Sequence, residues 1–174
     1  MFPEVYEKVY HNYSPKRKRK LRIDENVRSR LRIDKYMDLG LAIPFINDHM
    51  AGAGNKKDLK SFIGKFTRFY QVGDLRFYGF FHDGQLINLL ALHISKSTVA
   101  LLGTFNDRKF LKLNGASILI DHAIKDYIET HVFDFEGSEV PAVEEFFRGF
   151  RPQLASYPYI LHSRKDLLLN LLGK

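Results

Sequence analysis

The residues Phe133-Asp134-Phe135-Glu136-Gly137-Ser138 place a carboxylate and a hydroxyl in a tight turn, between an apolar strand end and a helical pattern. From Glu139 to Phe150 that pattern puts Val140, Val143, Phe146, Phe147 and Phe150 on one helix face. A strand, a glycine turn and a helix start expose backbone N–H groups and favour negative charge. Glu136 and Ser138 are therefore candidates for acid–base or anion chemistry. Their plainer reading is a solvated turn carboxylate and a helix cap. A second group is Arg108, Lys109, Lys112, Asn114, Gly115 and Ser117. Here basic side chains meet a glycine at a helix N-terminus, where unpaired N–H groups point at an incoming anion. A pyrophosphate fits this arrangement better than it fits the Glu136–Ser138 turn.

Other chemistries have little support. There is no cysteine, which removes disulfides, thiolate metal sites and cysteine nucleophiles. The seven histidines, at 11, 49, 82, 93, 122, 131 and 162, show no metal-ligand spacing, so no metal is expected. No Gly-x-Ser-x-Gly elbow is present. No apolar run reaches the ~20 residues of a membrane span. The start, Met1-Phe2-Pro3-Glu4, lacks the basic and apolar regions of a signal peptide. A cytoplasmic location is the expectation.

The net charge of +7 is concentrated at one end. Residues 1–35 hold 11 Lys/Arg against 5 Asp/Glu, whereas the rest of the chain is nearly balanced. The centre is Lys16-Arg17-Lys18-Arg19-Lys20, with Arg22, Arg28, Arg30 and Arg32 behind it. Such a patch attracts phosphates on nucleic acid, lipid or nucleotide. It is equally the pattern of a solvated helix face or of a surface docked on an acidic neighbour.

The elements that must position these groups follow from periodicity. Helices are expected over 3–11, with Pro3 in the first turn, and from Ser14-Pro15 to about Asn26. A strand with a wet basic face is expected over Arg28–Asp34. A helix over 38–52 is weakened by Gly40 and Pro44, and Ala51–Asn55 reads as a connector. Leu59, Phe62, Ile63, Phe66, Phe69 and Tyr70 form the apolar stripe of an amphipathic helix. Then the period changes. Leu75–His82 and Gln85–Ile94 are strands joined by the Asp83-Gly84 hairpin turn, and Thr98–Phe105 completes a meander. Asn106–Asn114 reads as a polar loop. Gly115 opens a helix whose buried stripe is Ile120, Ala123, Ile124, Tyr127 and Ile128. His131–Phe135 and Gln153–Leu161 are strands, and 164–172 a short helix. This order makes an α/β (α+β) layer fold, in one domain over 1–174 with a basic helical segment at about 1–27.

The order of elements resembles the GNAT acyltransferase fold, a central mixed, mostly antiparallel sheet with helices on both faces. The family's pyrophosphate loop has the pattern Arg/Gln-x-x-Gly-x-Gly/Ala. Lys112-Leu113-Asn114-Gly115-Ala116-Ser117 is similar to it, with Lys for Arg/Gln and Ser for the last residue. Phe133 to Ser138, Phe146, Phe150 and Tyr157 resemble the second GNAT-like half of Fem-type and related bacterial acyltransferases. The basic segment Ser14–Lys20 resembles the helix that opens that half. Arg151 departs from the pattern, which has Gly after the second Phe.

The resemblance implies transfer of an acyl group to an amine, from acyl-CoA (acetyl-CoA) or from aminoacyl-tRNA. It implies that backbone N–H groups of Leu102, Gly103 and Thr104 hold the donor's arm. Arg108, Lys109, Lys112 and the Asn114, Gly115, Ala116 and Ser117 helix start would hold its phosphates. Glu136 is the implied base and Tyr157 or Tyr159 the implied acid. The partners would be an amine-bearing substrate and, at Lys16–Arg22, tRNA or another polyanion. Two other readings stay open: a basic nucleic-acid-binding module, and a catalytically silent GNAT-like interaction domain.

Overall fold

The computed structural model describes residues 1–50, 56–137 and 140–155. Ser138, the connector Ala51–Asn55, Tyr157, Tyr159, most of the expected last strand and the 164–172 helix lie outside the described residues. Gln153–Ala155, which the strand pattern includes, take no regular structure.

Alternating apolar positions and a two-residue turn dictate the centre of the molecule. β2 (Leu75–His82) and β3 (Gln85–Ile94) pair antiparallel across Asp83-Gly84, with φ of 50° and 78° at the two turn residues. Positive φ at both positions matches the right-handed strand twist, and it suits Asp-Gly. β4 (Thr98–Asn106) pairs antiparallel with β3. β1 (Leu31–Asp34) joins the far edge of β2, and β5 (Val132–Asp134) joins β4 in parallel, giving the order β1-β2-β3-β4-β5. β3 is central and buried on both faces, which is why it reads as a continuous apolar run.

Helices cover both faces. On one side α1 (Tyr6–Asn12), α6 (Gly115–Tyr127) and α7 (Pro141–Arg148) pack over Tyr78, Phe80, Leu90, Leu92 and Phe133. On the other, α4 (Leu39–His49) and α5 (Lys56–Gln71) cover Phe77, Leu89, Ala91 and Phe105. Each fully buried Phe contributes about 2–3 kcal/mol by leaving water, so the aromatic-rich composition is spent on two cores. Asp38 caps α4 by accepting from Leu41 N–H at 3.0 Å, and the helix runs on through Pro44.

The N-terminal segment departs from expectation. Pro3 does not start a helix; α1 begins at Tyr6, after Val5. The basic helix is α2 (Pro15–Lys20), capped by Ser14, and it stops at Leu21 instead of running to Asn26. Asp24 accepts from Asn26 N–H at 2.9 Å and so caps a separate turn of helix, α3 (Glu25–Arg28). That capping keeps Arg28 out of β1. Met1 also exchanges backbone hydrogen bonds with Phe133, at 2.7 and 2.8 Å, along β5.

Candidate functional site

β4 and β5 stay paired for only three positions, Thr98↔Val132, Val99↔Phe133 and Ala100↔Asp134. Beyond them the strands part. On its other edge β4 is irregular: Leu101 pairs Leu92 and Gly103 pairs Ala91, so Leu102 is an extra residue with no partner in β3. A bulge of this kind bends the strand and re-aims its backbone. Between the separated ends lies a cavity of about 220 Å³, lined by Leu101–Thr104 on one side and Phe135–Gly137 on the other. Val143 and Phe147 of α7 close it with apolar surface.

The structure therefore brings together Leu102, Gly103, Thr104 and Glu136 from the sequence-derived set. Glu136 is exposed at the cavity wall, in a left-handed conformation (φ 57°) shared with Gly137 (φ 67°). The turn is held by Asp134, whose carboxylate accepts from Glu136 N–H at 2.8 Å. Phe135 stays in the core between them, its ring packed edge-on or tilted against Phe133, Phe147 and Phe150.

The basic group after β4 lies elsewhere. The segment expected as a loop is a 3₁₀ helix, Arg108–Leu113, with Asp107 as its cap accepting from Lys109 N–H at 2.9 Å. Asp107 is itself buried, a position that hydropathy does not flag. Arg108, Lys109 and Lys112 are exposed on this turn. Asn114 follows at φ 56°, and α6 starts with no side chain capping it. The first-turn N–H groups of Gly115, Ala116 and Ser117 have no intrahelical acceptor, as at any helix start.

Ser117 is the correction within this group. Its hydroxyl does not face the anion side; it is buried and accepts a hydrogen bond from Arg17 Nη1. The third position of α6 turns inward against α2, and Arg17 comes with it. Only 4% exposed, Arg17 also donates to the Phe146 carbonyl at 2.6 Å. Its guanidinium lies 4.2 Å from the ring centroids of both Phe146 and Phe150. Burial pushes its pKa down to about 10, against the pull of Tyr13 and Asp121. One residue of the basic run Lys16–Lys20 is thus a buried connector between helices. The only sequence signal for it is its placement one helical turn after the Ser14 cap.

The described residues hold no group of three side chains suited to a metal, and no helix long and apolar enough to cross a membrane.

The overall fold is matched in solved structures. A possible acetyltransferase from Clostridium difficile 630 superposes with a TM-score of 0.61 at 11% identity, over 76% of this chain and 97% of the other. The fold is that of the GNAT acetyltransferases. A predicted acetyltransferase from Clostridium acetobutylicum, solved with acetyl-CoA, gives 0.55 at 10% identity, over 78% of this chain and 97% of its own. The aminoglycoside 6'-N-acetyltransferase AAC(6')-Ih from Acinetobacter baumannii gives 0.54 at 10% identity, over 77% and 97%. No protein-family model matches the sequence, and no curated protein matches it.

Proposed function

We propose that this protein is an N-acyltransferase that takes its acyl group from acyl-CoA and delivers it to an amine. The observation that carries the reading is the cavity between β4 and β5, opened where their pairing stops after Ala100 and Asp134. An extended thioester arm can lie there as an additional strand, bonded to backbone groups of Leu102, which the bulge has released from β3, and of Gly103 and Thr104 on the edge that β5 leaves open. The arm's pyrophosphate then meets Arg108, Lys109, Lys112 and the helix start at Asn114, whose following residues Gly115 and Ala116 offer their N–H groups. A neighbour of the same fold solved with acetyl-CoA supports this choice of donor.

The chemistry needs few groups. The amine nitrogen attacks the thioester carbonyl carbon, and a C–N bond forms. The C–S bond then breaks, and the thiolate leaves. Glu136, at the cavity wall, takes the proton lost by the amine. Backbone N–H groups of the bulge stabilise the oxyanion. Tyr157 or Tyr159 is assigned to protonate the thiolate.

Calorimetry with acetyl-CoA and CoA is the direct test. Saturable binding below millimolar ligand is expected; folded protein that gives no binding heat at millimolar ligand overturns the proposal. Given an amine that releases thiol, Glu136→Gln should lower kcat by roughly 10²–10⁴-fold, with acyl-CoA affinity unchanged.

A further inference from the structure

A second cavity, of about 230 Å³, opens between α2 and the adjoining face of α7. Its lining includes Lys16, Arg17 and Lys20 from α2, and Glu145 and Gly149 from the α7 side. Three cations against one carboxylate leave it net positive. Lys16 and Lys20 are four residues apart, so their ammonium groups share one helix face and repel each other. Neither makes an ion pair among the described residues.

The decisive group is Arg17. Its Nη1 and Nη2 are occupied by Ser117 and the Phe146 carbonyl. Its Nε is buried and has no acceptor, although a guanidinium N–H out of water ordinarily finds one. A Cβ at position 149 would sit 2.9 Å from this Nε, so glycine there is what lets the chain after α7 pack this closely on the guanidinium at the cavity wall. A buried donor, two flanking ammonium groups and room for a tetrahedral anion are the requirements of a phosphate site.

The same guanidinium reaches both the cavity and Ser117 in the first turn of α6, where the reading above seats the pyrophosphate. CoA carries one phosphate more than that pyrophosphate, a monoester on its ribose. Resting on the acyl-CoA reading, we propose that the α2–α7 cavity is a second phosphate site and holds that ribose phosphate. The basic N-terminal segment thereby becomes part of co-substrate recognition.

Two measurements test it. Inorganic phosphate titrated into ¹⁵N-labelled protein should shift the Arg17 Nε–H resonance, and K16Q/K20Q should abolish the shift. By calorimetry, CoA should bind roughly tenfold tighter than 3'-dephospho-CoA, the worth of a charged hydrogen-bonded phosphate contact. In K16Q/K20Q that preference should vanish while dephospho-CoA binding stays the same. An Arg17 resonance indifferent to phosphate overturns the site. A phosphate response with equal affinity for the two nucleotides overturns the ribose phosphate as its occupant and leaves a free-phosphate site. A phosphate response in a protein that binds neither nucleotide keeps the site and removes the acyltransferase reading instead. The wild-type comparison needs no variant, so a K16Q/K20Q protein that fails to fold does not protect the proposal.

Discussion

A Cβ at position 115 would lie 1.8 Å from Asn88 Oδ1, 2.5 Å from its Cγ and 2.7 Å from Phe80 Cδ1. Gly115 is therefore required by the close approach of α6 to β2 and β3, whatever ligand its N–H serves. The Asn88 side chain has little freedom to retreat, since its Nδ2 is committed to Asn106 Oδ1 at 2.7 Å and it is buried. Gly115→Ala should cost about 1–3 kcal/mol, as over-packed cores do. Gly64, inside α5 with no atom within 4 Å of its would-be Cβ, gives the opposite sign. Gly64→Ala should stabilise by roughly 0.5–1 kcal/mol through helix propensity alone. Urea denaturation of both variants checks the pair, and equal effects would mean that contact at Gly115 is not what matters. The sequence marks position 115 as a helix start. It does not reveal that a buried asparagine two strands away forbids any other residue.

At the scale of elements, Arg17 is the joint among α2, α6 and α7. Its planar fork serves Ser117 and the Phe146 carbonyl while its faces lie against two phenylalanine rings. A lysine can supply only a point donor and cannot stack in the same way. Arg17→Lys should therefore lose about 1–3 kcal/mol, chiefly from acceptors left unpaired. A change below about 0.5 kcal/mol, the range of ordinary surface substitutions, would contradict the joint. The elements that sequence rendered well are those whose pattern is local. β2, its Asp83-Gly84 turn and β3 match their expected bounds because alternation and turn chemistry lie within neighbouring residues. The bulge at Leu102 was hidden because it exists only relative to the register of β3. The break at Leu21 was hidden for a related reason: Lys16–Lys20 has no apolar stripe, so nothing in the period says where such a helix stops. The gathering of Leu102–Thr104 with Glu136 was legible only through likeness to a known fold, since residues 105–134 separate Thr104 from Phe135.

For the molecule as a whole, two adjacent residues of α6 set opposing pH responses. His122 has its pKa lowered, first by burial and then by Lys35, with Lys125 adding to this and Asp126 opposing it. The unfolded chain takes up a proton near pH 6.5 that the folded one resists, so the stability from His122 is present above that pH and lost on acidification. Asp121 has its pKa raised, again by burial first, while the hydrogen bond from Tyr6, the nearby Tyr13 hydroxyl and the charges of Lys125 and Arg17 oppose the rise. Here the folded state holds the proton more tightly than the unfolded one. The contribution is therefore full below pH 3.8 and is lost as pH climbs through the folded value. The two effects have opposite signs, so the two variants should change the slope of the pH profile in opposite directions. Measured by denaturation from pH 7.5 down to about pH 5, an interval that spans the unperturbed histidine value of 6.5, the stability of wild type relative to His122→Gln should fall. Relative to Asp121→Asn it should rise as the pH is taken down through the raised carboxyl pKa towards 3.8. Parallel profiles for wild type and His122→Gln would place the imidazole in water, and would require α6 to sit further from the sheet than its packing over Tyr78 and Leu90 allows.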